Sequence, residues 1–69
     1  MPDHPQLANR LKELRTEAGL TQAELAVRIQ VSRKTINTIE NGVFVPSTIL
    51  ALRLSEALGE PVERIFRLP

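Results

Sequence analysis

Apolar residues recur along this chain at helical spacing, in short stretches that end at glycine. Leu7, Leu11, Leu14 and Ala18 stand at i, i+4, i+7 and i+11, which predicts a first helix from about Leu7 to Ala18. The run Thr21-Gln22-Ala23-Glu24 reads as a capping box, with Thr21 as the cap and Glu24 reaching back, so a second helix begins there. It extends to about Ile29 and turns Leu25, Ala26 and Ile29 inward. After a short Gln30-Val31 turn, Ser32 is a good N-cap for a third helix reaching about Asn41, with Ile36 and Ile39 facing the core. Ser47, just after Pro46, caps a fourth helix that runs to Leu58, and Pro61 suits the first turn of a short fifth helix ending near Phe66. Gly19, Gly42 and Gly59 each follow such a stretch, where a left-handed residue closes a helix. Nothing alternates with period two except a short extended Val43–Val45. The pattern predicts five short helices and no sheet.

Two short helices joined by so tight a turn cannot pack antiparallel along their lengths, so the second and third must cross steeply. With Ile36 and Ile39 as its anchors, the third helix presents Arg33, Lys34, Thr35, Asn37, Thr38 and Asn41 elsewhere. A solvated face is the usual meaning of such a cluster. This one holds no acid, and every member can donate a hydrogen bond, which suits an acceptor-rich surface such as a DNA major groove with phosphates on either side.

Composition narrows the field. At 69 residues the chain makes one small domain. Hydrophobic residues make up 42% and charged residues 25%, as in globular rather than disordered chains. Phe44 and Phe66 are the only aromatic residues, so the core must be aliphatic. The absence of cysteine excludes disulfides and thiolate metal sites and fits a cytoplasmic location. A net charge of +1 means that affinity for a polyanion must rest on a localised patch. No apolar run approaches the ~20 residues that span a bilayer, and Met1–Gln6 carries no signal-peptide core, so no membrane partner is expected. His4, the one histidine, lies in a proline-rich start, and no base is held near Ser32, Ser47 or Ser55. Glu13 and Glu17 share a helical face but pair with Arg10 and Lys12 or face solvent rather than forming a catalytic dyad. With no His/Cys cluster and no phosphate-binding loop, the expectation is a protein that is not an enzyme and uses no metal, cofactor or small-molecule effector. Segments 1–6 and 67–69 are expected to form a flexible N-terminus and a C-terminal tail around a domain at 7–66.

Four fragments, in order, carry a resemblance: Leu20-Thr21-Gln22-Ala23-Glu24-Leu25-Ala26, Val31-Ser32-Arg33-Lys34-Thr35-Ile36, Ile39-Glu40-Asn41-Gly42 and Pro46-Ser47. Together they resemble the Cro/C1-type (XRE) helix-turn-helix family of bacterial and phage repressors, over about Leu7 to Phe66. The resemblance implies an all-α, five-helix, lambda-repressor-like DNA-binding domain with its helix-turn-helix at the second and third helices. It further implies a transcriptional regulator, a repressor, that binds double-stranded DNA as a homodimer, the third helix of each subunit entering successive major grooves. By the same resemblance Arg33, Lys34 and Thr38 occupy base-reading positions. Arg33 or Lys34 suits guanine O6 and N7, and Thr38 suits a thymine methyl. Thr35 and Asn41 match backbone-contacting positions, and Asn37 lies beside them. Gln22 matches a glutamine that anchors a phosphate at a helix N-terminus, a place that favours anions in any case; family glutamines there also bond within the protein. Glu40 matches a glutamate that pairs with an arginine of the first helix, here Arg15, locking the first helix to the third.

Three departures from the family pattern bear on function. Gln30 stands where glycine is common in the turn, and a left-handed conformation there costs roughly 1 kcal/mol. Val43 stands where a basic residue often meets phosphate. Ile49 stands where the start of the fourth helix is often polar. Val43, Phe44, Val45 and Ile49 together are more apolar than a surface loop should be, and such clusters usually mark an interface. A two-fold contact is expected there, with Phe44 folding inward over the core as the competing use. An antitoxin of a toxin–antitoxin pair, or a protein-interaction module that has lost DNA binding, are the alternative readings; the basic outward face of the third helix argues against the second.

Overall fold

Side-chain caps set where the helices start. In the computed structural model, which describes residues 4–69, Glu24 N–H donates to Thr21 Oγ1 at 3.0 Å and Thr21 N–H donates to Glu24 Oε1 at 2.9 Å. This reciprocal box opens the helix Gln22–Ile29. Ser32 Oγ accepts the Thr35 N–H, and Ser47 Oγ accepts the Leu50 N–H, each at 3.2 Å, opening Arg33–Glu40 and Thr48–Leu58. With Leu11–Glu17 before them and Val62–Ile65 after, these are α1 (Leu11–Glu17), α2 (Gln22–Ile29), α3 (Arg33–Glu40), α4 (Thr48–Leu58) and α5 (Val62–Ile65). Gly19, Gly42 and Gly59 all have φ between 67° and 74°, and Gln30 joins them at φ 62° as the left-handed end of α2.

The predicted absence of a sheet is corrected at the chain ends. β1 (Ala8–Asn9) pairs antiparallel with β2 (Phe66–Arg67), Ala8 opposite Arg67 and Asn9 opposite Phe66. The first helix accordingly starts at Leu11 instead of Leu7, and the fifth stops at Ile65. The backbone shows why: Arg10 N–H donates to the Ile65 carbonyl at 2.8 Å, and the Asn9 side-chain oxygen takes the Leu11 N–H at 3.1 Å. Amides that a longer first helix would use internally are committed elsewhere, one to α5 and one to the Asn9 side chain. Pro61 sits just outside α5 as its cap residue. Of the predicted flexible start at 1–6, residues 1–3 lie outside the described residues; His4 to Leu7 form a turn closed by Leu7 N–H on the His4 carbonyl at 3.1 Å.

The core is aliphatic with one aromatic edge. Leu11, Leu14, Leu25, Ala26, Ile29, Ile36, Ile39, Leu54, Ile65 and Phe66 are buried together, so every helix and the ribbon contribute. Each fully buried Leu or Ile contributes roughly 1.5–3 kcal/mol, which a domain with axes of 27 × 22 × 22 Å needs from nearly all of them. α2 and α3 pack on each other more extensively than any other pair of elements.

Candidate nucleic-acid interface

α3 is amphipathic with one irregularity. Ile36 and Ile39 are fully buried, and Glu40 is buried beside them, which the apolar pattern alone does not foretell. Its charge is met from two other helices. Arg15 on α1 donates to Glu40 through Nε at 2.6 Å and Nη2 at 3.2 Å, while Gln22 Nε2 on α2 donates at 3.0 Å. Arg15 Nη1 also donates to the Leu20 carbonyl at 2.8 Å. The Glu40 carboxylate holds the Arg15 guanidinium above its ordinary pKa, chiefly by the hydrogen bond. The one acid on α3 is thereby turned inward and neutralised, and the last turn of α3 is fixed to α1 and α2.

The outward face is left basic and polar. Arg33, Lys34 and Asn37 are exposed, while Thr35, Thr38 and Asn41 are half-buried. Arg33 and Lys34 form no ion pair among the described residues. The hydroxyls are spent locally. Thr38 Oγ1 donates to the Thr35 carbonyl at 2.9 Å, and Thr35 Oγ1 lies 3.1 Å from Ser32 Oγ. Asn41 Nδ2 donates to Asn37 Oδ1 at 3.2 Å, so those two amides act as a unit. The structure thus brings together Arg33, Lys34, Thr35, Asn37, Thr38 and Asn41 on one helix, with Gln22 reaching the same helix through Glu40.

The chain leaving α3 folds back along it. Val43 N–H and Phe44 N–H both donate to the Thr38 carbonyl, at 3.0 and 3.2 Å. Ser32, Lys34, Thr35, Thr38, Val43 and Phe44 consequently line a mostly apolar groove of about 340 Å³ along the flank of α3. Val43, Val45 and Ile49 are exposed, Ile49 at 63%, and Phe44 keeps 44% of its surface in solvent. On α4, Leu54 is buried whereas Ile49 and Leu52 face outward. This apolar surface runs into a second groove, about 300 Å³, bounded by Leu7, Val45, Pro46, Leu52, Val62 and Phe66.

Sequence reasoning missed Asn9. Its side-chain nitrogen donates to the Ile39 carbonyl at 3.0 Å, thirty residues away in the chain. The apolar spacing places Asn9 inside a helix begun at Leu7, so no local signal ties it to a distant helix. Among the described residues no group of three or more His, Cys, Asp or Glu is placed to hold a metal ion, and no helix is long and apolar enough to cross a membrane.

Two short helices crossing at a tight left-handed turn, the second with a basic outward face and a buried acid locked to α1, define a helix-turn-helix domain of the DNA-binding type. The comparisons agree. The helix-turn-helix family model matches residues 11–65, and the chain belongs to that family, in its Cro/C1-type (XRE) form. It is 53% identical over 57 residues to an HTH-type transcriptional regulator of Methanothermobacter thermautotrophicus, covering 81% of this chain and 83% of that one. It is 39% identical over 60 residues to the HTH-type transcriptional regulator YgzD of Bacillus subtilis, covering 87% and 91%. Among solved structures it is similar to the restriction-modification controller protein C.AhdI of Aeromonas hydrophila, with TM-score 0.76, 34% identity and coverage of 80% and 83%. It is also similar to the clp gene regulator ClgR of Corynebacterium glutamicum, with TM-score 0.72 and 33% identity, over 75% of this chain and 55% of ClgR.

Proposed function

We propose that this protein binds specific double-stranded DNA as a homodimer and represses transcription, with α3 of each subunit in the major groove. The observation that carries the reading is the outward face of α3, where Arg33 and Lys34 make no ion pair among the described residues while the one acid of the helix, Glu40, is buried and paired. An acid-free, donor-rich face matches the acceptors of the groove floor and its phosphates.

Roles divide by chemistry. Arg33 and Lys34 bond guanine O6 and N7. Thr38, its hydroxyl already donated within α3, meets a thymine methyl by apolar contact. Thr35, Asn37 and Asn41 contact the sugar–phosphate backbone. Gln22 gives one amide hydrogen to Glu40 and keeps the other for a phosphate at the start of α2. The surface of Val43, Phe44, Val45 and Ile49 joins the two subunits, since an exposed apolar cluster of this kind usually marks an interface. Repression is steric: a dimer seated on one face of the duplex blocks polymerase. With a net charge of +1, affinity rests on the local patch and on dimerisation. Location is cytoplasmic in this reading, where the DNA is.

Fluorescence anisotropy across a salt series, on a randomised duplex pool followed by selection, tests the reading. A steep salt slope with enrichment of a palindrome supports it; a flat response with no enrichment overturns it.

A further inference from the structure

We propose that Asn9 is a positioning residue for α3: its side chain ties the β1–β2 ribbon to the last turn of the DNA-reading helix and sets that helix's angle in the groove. The proposal rests on α3 being the base-reading helix. Asn9 Oδ1 accepts the Leu11 N–H at 3.1 Å and Nδ2 donates to the Ile39 carbonyl at 3.0 Å. Only this amide orientation makes both bonds, because the Leu11 N–H can only donate and the Ile39 carbonyl can only accept. The Asn9 backbone is itself held in the ribbon opposite Phe66. The side chain therefore connects the start of α1, both chain ends and the end of α3.

The bond to Ile39 is not required to satisfy a buried group, since the same carbonyl already accepts the Gly42 N–H at 3.1 Å. What it adds is geometry. α1 packs on α3 much less than α2 does, so polar ties fix their mutual angle. Arg15 grips α3 at the Glu40 side chain and Asn9 grips it at the main chain one residue earlier. Two neighbouring grips stop α3 pivoting about its C-terminal end, and a small pivot there moves Arg33 and Lys34 most, since they lie at the other end of the helix.

The test uses the full chain, a duplex selected by the wild type and a scrambled duplex of equal length. Asn9→Asp and Asn9→Ser keep an oxygen for the Leu11 N–H; the aspartate has no donor for Ile39, and the shorter serine has a single oxygen in place of the two atoms that serve the two partners. The expected result, measured well below the melting temperature, is about a three- to tenfold loss on the selected duplex with little change on the scrambled one. Hydrogen exchange by NMR on the free protein gives a second readout: the Gly42 and Val43 amides exchange faster in both variants. Equal losses on both duplexes, or an unchanged ratio with unchanged exchange, overturn the proposal. A wild type that shows no preference between duplexes overturns base reading itself, and is distinguished because the failure precedes any substitution.

Discussion

The Arg15 guanidinium and the Glu40 carboxylate meet in two hydrogen bonds, 2.6 and 3.2 Å long, with only 12% and 2% of the two side chains exposed. A pair so buried behaves unlike a surface ion pair, because removing one partner strands the other charge away from water. Arg15→Ala is expected to cost ~3–5 kcal/mol of stability, read from chemical denaturation, and to weaken DNA binding indirectly, through loss of folded protein and of one of the two ties that hold α3 in place. An unchanged melting temperature contradicts this account of the pair.

Gln30 holds φ 62° and ψ 44° at the end of α2, a left-handed conformation that strains a residue with a Cβ by roughly 1 kcal/mol. Its side chain is exposed, so the strain can be relieved without disturbing packing. Gln30→Gly is expected to raise the melting temperature by a few degrees, the gain being about 0.5–1 kcal/mol after the greater flexibility of unfolded glycine is offset. Gln30→Val lowers it. Thermal melts of the two variants check the order.

Thr38 donates its hydroxyl proton to the Thr35 carbonyl, which in the proposed reading leaves its methyl to meet a thymine. Replacing a contacted thymine by uracil in the selected duplex removes one methyl contact, worth ~0.8 kcal/mol or about a fourfold loss of affinity. In Thr38→Ser the thymine and uracil duplexes bind alike. Anisotropy on the four combinations checks the coupling; a uracil penalty that survives in Thr38→Ser removes this role.

Ile49 and Phe44 belong to the apolar surface assigned to the dimer contact. Ile49→Lys is expected to weaken self-association by about tenfold or more while leaving the fold intact, because that side chain is 63% exposed. Sedimentation equilibrium reads the first effect and circular dichroism the second. A wild type that stays monomeric at all concentrations contradicts the assignment.

Much of this molecule is written locally. The box of Thr21 and Glu24, the caps at Ser32 and Ser47 and the turn at Gln30 each depend on residues within a few positions, and the sequence marks them. The ribbon is different. Two strands of two residues, Ala8–Asn9 and Phe66–Arg67, are too short to alternate visibly, and each exists only because the other end of the chain arrives. The helical spacing of Leu7 with Leu11 and Leu14 misleads for the same reason: Leu7 packs against the core from a turn. The Arg15–Glu40 pair, and Gln22 by itself, are legible as matches to a family pattern. That both donors converge on one carboxylate from two helices depends on how α1 and α2 cross α3, which no local spacing encodes.

The most direct measurement compares wild type and Lys34→Ala on the selected duplex and on its scrambled counterpart. If Lys34 reads a base, the variant loses ~1–3 kcal/mol on the selected duplex and little on the scrambled one. Equal losses on both duplexes make Lys34 a phosphate contact, and a wild type that binds both duplexes alike contradicts sequence reading by α3 altogether.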